Sequence, residues 1–362
     1  MHRVAIIGAG QTGASAALAL ALKGVEVVLY SDRPRKALRD AVPPTGSAIT
    51  FGKAQDAERA LGLADYPEAP KLTGMSNFIV VPPDIEAIEF DADFNGFTAI
   101  GIDPRLKADD RIGKLIAVGG VFVVQRVDSD TLDDIAADFD LTMVATGKGG
   151  RSSFFPRNPS RSFYDRPQRR ALMLTAKGPR ASVEMFAHRG AAGAGHIVFT
   201  SIPGEGEFWI SPYYHKDIGP AWTLLAWAIP GSDWDKRVLD AGSPDTTLNV
   251  MQSILTDYLP WDEPEFEDFE IIRGDQYSWL RGSVLQEVRA VMGFTKGGRA
   301  VASLGDTSIG YDPLAGQGAQ SGLIKPGSMW RGSSAMTDHS AHSGWRTPLR
   351  RSIRSGDRRR RW

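Results

Sequence analysis

Cysteine is absent from the 362 residues. That one absence excludes disulfide frameworks, thiolate zinc sites, iron–sulfur clusters and a cysteine nucleophile. Histidine is scarce as well. The six, His2, His188, His196, His215, His339 and His342, show no metal-ligand spacing near acidic residues, so hydrogen-bonded or surface roles are expected and no metal is assigned. No stretch approaches the ~18 uncharged apolar residues of a membrane span, and the apolar run in MHRVAIIGAG is too short for a signal-peptide core. A soluble, cytoplasmic protein without a membrane partner is the expectation. A surplus of either charge is also lacking: 42 Lys and Arg stand against 43 Asp and Glu, which argues against steering toward nucleic acid. What remains is a chain with 42% apolar residues, long enough for two domains and a substantial core.

The first thirty residues read β-α-β. Val4–Ile7 is a short apolar run ending in glycine, residues 12–23 form an Ala/Leu-rich helix closed by Gly24, and residues 25–30 form a second β-rich run. At this spacing the crossover is right-handed and the strands are parallel. Residues 55–63, 104–116 and 131–137 read as helices, and Val121–Val124 and residues 141–145 as strands. From about Phe154 the texture changes to Pro/Arg-rich connections between longer apolar or alternating runs, at residues 171–174, His196–Ile202, 207–211 and 222–229, which predict an antiparallel sheet. Residues 246–258 form one helix, and residues 300–304 a buried strand. The expected fold class is α/β: a Rossmann-like FAD-binding domain over residues 1–153 and 296–323, with a β-rich substrate domain inserted at 154–295.

Two motifs carry the chemistry. Gly8-Ala9-Gly10-Gln11-Thr12-Gly13 lies between a strand and a helix. Gly8 permits the tight turn, Gly10 lets backbone approach a pyrophosphate, Gly13 lets helix and sheet pack closely, and the helix N-terminus offers free N–H groups. Asp32, nineteen residues after Gly13, is the expected ribose ligand, with Arg33 beside it for phosphate or adenine. Thr146-Gly147, after the strand at 141–145, is expected to bring backbone close to the cofactor. The second motif is Gly305-Asp306 followed by Asp312-Pro313-Leu314-Ala315-Gly316-Gln317-Gly318-Ala319. Its carboxylate can bind ribityl or ribose hydroxyls, and a glycine-rich helix start can set N–H groups against a charge-accepting ring. Asp306, Pro313, Gly316, Gln317, Gly318 and Ala319 are therefore candidate contacts, and the pairing of the two motifs points to FAD rather than NAD. Trp209, Trp222, Trp227 and Phe208 are candidates for an aromatic pocket, although alternating aromatics on strands are more often plain core.

Together with Tyr30-Ser31-Asp32-Arg33, Thr146-Gly147-Lys148 and Asp165-Arg166-Pro167-Gln168-Arg169, these motifs resemble the styrene and indole monooxygenases, over roughly residues 1–322. The resemblance implies a p-hydroxybenzoate-hydroxylase-like fold and the oxygenase component of a two-component epoxidase. It also implies reduced FAD delivered by a separate NADH:flavin reductase, and dioxygen activated as a flavin hydroperoxide that oxidises a small aromatic alkene or indole. No catalytic side chain is assigned, because that oxidant carries the chemistry. The resemblance matches Arg105, in Asp103-Pro104-Arg105-Leu106, to a motif near the flavin. Two positions depart from the family pattern: Gln320 stands where asparagine is usual, and Lys107 where an aromatic residue often follows Arg-Leu. Two other readings stay open: a self-sufficient flavoprotein using NAD(P)H directly, and an inactive remnant. Oligomeric state is open as well, a homodimer included.

Residues 324–362 do not fit this pattern. Lys325 and nine arginines against Asp338 and Asp357 give a net charge of +8, with seven serines, three tryptophans and no apolar stripe. Lys325-Pro326-Gly327 would break a helix, and the rest is too poor in aliphatic residues to offset its ordering entropy. The expectation is a disordered basic tail, or one read out of frame from near Leu323.

Overall fold

The parallel β-α-β start is the seed of one of two large sheets. A computed structural model describes residues 2–323, apart from 47–48, 64–65, 82–85, 149–153, 180–184, 187 and 190–194. The calls made on residues 324–362 lie outside the described residues. In chain order the strands are β1 (Arg3–Ile7), β2 (Glu26–Ser31), β3 (Gly74–Val81), β4 (Glu86–Asp93), β5 (Val121–Val124), β6 (Leu141–Val144), β7 (Arg170–Lys177), β8 (His196–Ile202), β9 (Gly206–His215), β10 (Gly219–Ala228), β11 (Glu270–Ile271), β12 (Trp279–Ser283), β13 (Glu287–Val288), β14 (Met292–Phe294), β15 (Ala300–Ser303) and β16 (Ile309–Gly310). The α-helices are α1 (Gln11–Ala21), α2 (Arg35–Asp40), α3 (Gly52–Ala60), α4 (Pro104–Ala117), α5 (Ser129–Asp138), α6 (Asp233–Asp240) and α7 (Pro244–Tyr258), and residues 317–323 are helical too.

Six strands form the first sheet in the order β14-β15-β6-β1-β2-β5. All pair in parallel except β14, which runs antiparallel to β15. Their residues are nearly continuous apolar runs because both faces are covered. One face packs under α1 and α4 through Val4, Ile6, Leu29, Ile112 and Leu115. The other packs under α5 through Ala5, Ile7, Leu132, Val144 and Phe155. The helices begin where their sequences say they should: Asp103 and Asp128 accept hydrogen bonds from first-turn N–H groups, and Ser243 and Thr246 form a reciprocal capping box.

The second sheet runs β11-β7-β10-β9-β8-β3-β4, with β12 also on β7. It is antiparallel except where β3 meets β8. Residues alternate strictly between its faces. Trp222, Leu224, Phe208, Ile210, Leu172 and Leu174 pack with α6 and α7 in the largest core cluster. Met173, Leu225, Trp209, Trp227 and Ile197 point the other way.

A division of the chain at residue 154 does not coincide with the division between the sheets. β3 and β4 lie within the first 153 residues, yet they extend the second sheet from its β8 edge. The sequence of β4 (EAIEFDAD) hides this, since it is an edge strand with acidic residues at every other position or nearly so.

A candidate cofactor site at the carboxyl ends of the parallel strands

Four of the expected site segments emerge from the carboxyl ends of four adjacent parallel strands. Gly8 follows β1, Asp32 follows β2, Thr146 and Gly147 follow β6, and Gly305 and Asp306 follow β15. In open α/β sheets this edge is where ligands bind. The packing explains two of the glycines directly. Gly8 has φ +108°, and a Cβ there would lie 2.5 Å from the Ala145 carbonyl oxygen. A Cβ on Gly13 would lie 1.9 Å from the Gly8 carbonyl oxygen, so α1 can touch the β1 turn only through hydrogen.

Gly10 is different. A Cβ there meets nothing within 4 Å, and its backbone (φ −69°, ψ 179°) suits any residue. The fold does not need that glycine, whereas a ligand seated against bare backbone would. No side chain caps α1, and its first turn holds no acidic residue, which leaves the positive end of the helix dipole to an external anion. Gln11 Nε2 is buried without an acceptor, and a phosphate oxygen is the kind of group that would satisfy it. The residues present therefore fit a dinucleotide diphosphate.

The second motif closes onto the first at Thr12. A Cβ on Gly305 would lie 3.0 Å from Thr12 Cγ2, and one on Gly322 2.5 Å from Thr12 Oγ1. The Gly147 N–H donates to Thr307 Oγ1 at 3.1 Å. Lys148 Nζ lies 3.4 Å from Asp306, whose Oδ1 would be 3.5 Å from a Cβ on Gly318. Asp312 accepts from the Leu314 N–H at 3.0 Å and caps the short turn Pro313–Ala315, which Gly316 ends in the left-handed region at φ +61°. Gln317, Gly318 and Ala319 then open the final helix. Asp32 is half-exposed and paired with Arg33 at 2.9 Å; the hydrogen bond from that guanidinium holds its carboxyl below the ordinary value.

Arg105 is placed elsewhere. It is buried, and its guanidinium reaches Asp103 at 2.7 Å and Asp275 at 2.6 Å. Among the described hydrogen bonds none joins it to the glycine segments. Asp275 also accepts from His215 Nε2 at 3.0 Å, while His215 Nδ1 accepts the Asp217 N–H at 3.2 Å. Burial works to raise the Asp275 carboxyl, but the hydrogen bonds from His215 and Arg105 and the nearby Lys216 charge hold it well below the carboxylate range. His215, Asp217 and Asp275 are close enough to share a cation. Both ring nitrogens are already engaged and two cationic side chains adjoin, so the group reads as an ion-pair network rather than a ligand set.

Both departures from the family pattern have structural roles. Gln320 Nε2 donates to the Ile49 carbonyl, and its Oε1 accepts the Phe51 N–H at 3.1 Å, so it ties the entrance of α3 to the final helix. Lys107 is fully buried with its ammonium 2.9 Å from Glu58. Glu58 and Arg111 were not legible as site-related residues in sequence, because the ion pair joining them spans fifty-odd residues.

Above the Pro313–Gly316 turn lies the second sheet's other face. Leu314 packs against the buried cluster that contains Trp209 and Trp227, as do Phe199, Met75 and Leu280. Phe199, Trp209 and Trp227 stand 6.1–6.4 Å apart, two of the three contacts being edge-to-face. Trp222 and Phe208 lie on the opposite face as core, so the four aromatic candidates divide in two.

The mixed α/β scaffold, with its glycine-rich parallel-sheet edge facing an apolar antiparallel sheet, is of the p-hydroxybenzoate-hydroxylase type. Residues 147–264 match the family model for the substrate-binding domain of styrene monooxygenase A. The chain is 25% identical over 324 residues to styrene monooxygenase StyA from a Pseudomonas species, covering 88% of this chain and 74% of the relative. It is 24% identical to StyA of Pseudomonas fluorescens over 323 residues, with the same coverage. Its fold is similar to that of 2-methyl-3-hydroxypyridine-5-carboxylic acid oxygenase in its tetrameric form, with a TM-score of 0.63 at 15% identity over 92% of this chain and 82% of that one. Over most of its length the chain is thus similar to styrene monooxygenases. No helix among the described residues is long and apolar enough to cross a membrane.

Proposed function

We propose that this protein epoxidises a small aromatic alkene of the styrene type, or indole, using reduced FAD from a separate NADH:flavin reductase and dioxygen in the cytoplasm. The observation that carries this reading is the convergence of Gly8–Gly13, Asp32, Thr146–Gly147 and Asp306–Ala319 on one sheet edge, opposite an aromatic face. Gly10 and the first turn of α1 would hold the diphosphate, Asp32 the ribose hydroxyls, Asp306 the ribityl chain, and the Pro313–Ala319 segment the ring. Reduced flavin, when bound, supplies with dioxygen an electrophilic oxygen atom. The protein's own part is to orient and to exclude water. Phe199, Trp209 and Trp227 would hold a planar substrate by edge and face contacts. Asp312 fixes the Leu314 N–H and so the direction of the turn. No protein nucleophile or general base enters.

The test is a single assay in two arms. With NADH and FAD alone the protein is expected to form no epoxide, and added flavin reductase should restore turnover. Robust NADH oxidation without a partner would instead show a self-sufficient enzyme. In the second arm Gly10→Val should fold with an unchanged melting temperature yet bind FAD at least a hundredfold more weakly. Unchanged affinity would overturn the site.

A further inference from the structure

Nothing on α1 itself fixes where its first-turn N–H groups point, since no side chain caps it. The fixing comes from behind. Arg111 of α4 is fully buried, with Nη1 donating to Ser15 Oγ and, at 3.5 Å, to the Gln11 carbonyl, both in the opening turns of α1. Its Nη2 donates to Glu58 of α3. The Gln11 carbonyl also accepts from Ser15 Oγ, so guanidinium, hydroxyl and carbonyl close a small ring at the base of the glycine loop.

We infer that Arg111, held by Glu58, is a positioning residue for the diphosphate end of the cofactor site; the inference rests on the flavin reading above. A planar guanidinium engaged at both ends has one orientation, and it transmits that orientation to the helix start. It also places a desolvated positive charge within a turn of the anion-binding N–H groups, where low dielectric makes the charge count. Glu58 is the anchor because it is almost wholly buried and binds Lys107 as well, at 2.9 and 3.1 Å. α3 thereby spans the site. Its entrance is held by Gln320 from the final helix, and its end by Arg111 from behind α1. Arg111 touches no expected position of the cofactor, so its role is to position and not to catalyse.

ADP carries the diphosphate and adenosine of FAD without the flavin, and its binding to flavin-free protein can be followed by calorimetry with no activity assay. Arg111→Met is expected to weaken ADP and FAD alike by at least tenfold. Arg111→Lys, which keeps the charge but loses the fork, should fall between this variant and wild type. Leu132→Ala, a cavity under α5 on the far side of the parallel sheet, serves as the control: it should lower the melting temperature and leave ADP affinity within twofold. ADP affinity that tracks melting temperature across all three variants would reduce Arg111 to a structural role and overturn the inference, as would unchanged affinity in Arg111→Met. If Arg111→Met does not fold, Arg111→Lys against Leu132→Ala decides by the same criterion. A wild-type chain that binds neither ADP nor FAD would overturn the proposed function itself, and this inference with it.

Discussion

The two faces of the eight-stranded sheet are made by the same strands, and a tryptophan or phenylalanine occurs on each every few residues, yet they end in different environments. On one face Trp222, Phe208, Leu224 and Ile210 are sealed by α6 and α7, whose Trp234 is fully buried. On the other face Trp209 and Trp227 are buried, while the ring around them, Phe199, Met75, Phe51, Phe94 and Leu314, stays partly exposed. That ring draws on several separate chain segments and, among the described residues, encloses no helix. Burial of apolar area is equally favourable on both faces. The difference lies in the covering element: amphipathic helices close the first face, whereas glycine turns too short to cover it approach the second. A face left incompletely covered by the described residues is the candidate for a small aromatic ligand.

Removing the seal gives the largest expected effect. Trp234→Ala should cost ~3–5 kcal/mol in denaturant unfolding, with FAD affinity of the folded fraction unchanged; a selective loss of FAD binding would erase the distinction between the faces. A comparable effect is expected where the ionic network joins the sheets. Asp275→Asn removes the negative charge and one of the two oxygens that accept from Arg105 and His215, and should cost about 3–5 kcal/mol at pH 7. The folded-state pKa of Asp275 lies below its unfolded value, so its contribution is complete above about pH 4 and is lost as pH falls toward the lowered value. Wild type should therefore lose more stability than Asp275→Asn over that acid range, and parallel curves would count against the network.

Smaller effects sharpen the contrast. Trp209→Phe on the open face should cost only about 1 kcal/mol of stability but raise the KM for a styrene-like substrate roughly three- to tenfold. The same change at Trp222 should leave KM alone, and equal behaviour of the two variants would mean that both faces are core. Smallest in stability is Asp32→Asn, within ~0.5 kcal/mol because the residue is half-exposed and its ion pair with Arg33 is a surface one. Equilibrium dialysis should nonetheless show FAD binding weakened about tenfold, as expected for a lost charge-assisted hydrogen bond to ribose.

Local signals predicted several elements closely: β5 and β8 run over the expected residues, and β1, α1 and β2 within one or two of them. Their apolar period and their glycines act over a few residues, and a few residues suffice to read them. α2 escaped because none of its residues is buried, so it carries no periodic stripe. β4 escaped because a charged edge strand lacks the apolar signal of a central one; β3, paired on both sides by β4 and β8, carries an apolar run at residues 78–81 and was legible in principle.

By itself the sequence determined the parallel β-α-β edge, the glycines its turns require and a resemblance to styrene monooxygenases, because glycine geometry is a property of the chain where it stands. Tertiary structure alone decided which aromatics share a face with Leu314 of the Pro313–Gly316 turn, since a one-residue shift of strand register would exchange Trp209 for Phe208. It alone joined Gln320 to Phe51, across 269 positions, and Arg111 to Gln11, across 100. Hydrogen bonds at such separations leave no local pattern, because loop closure sets their cost and packing sets their partner.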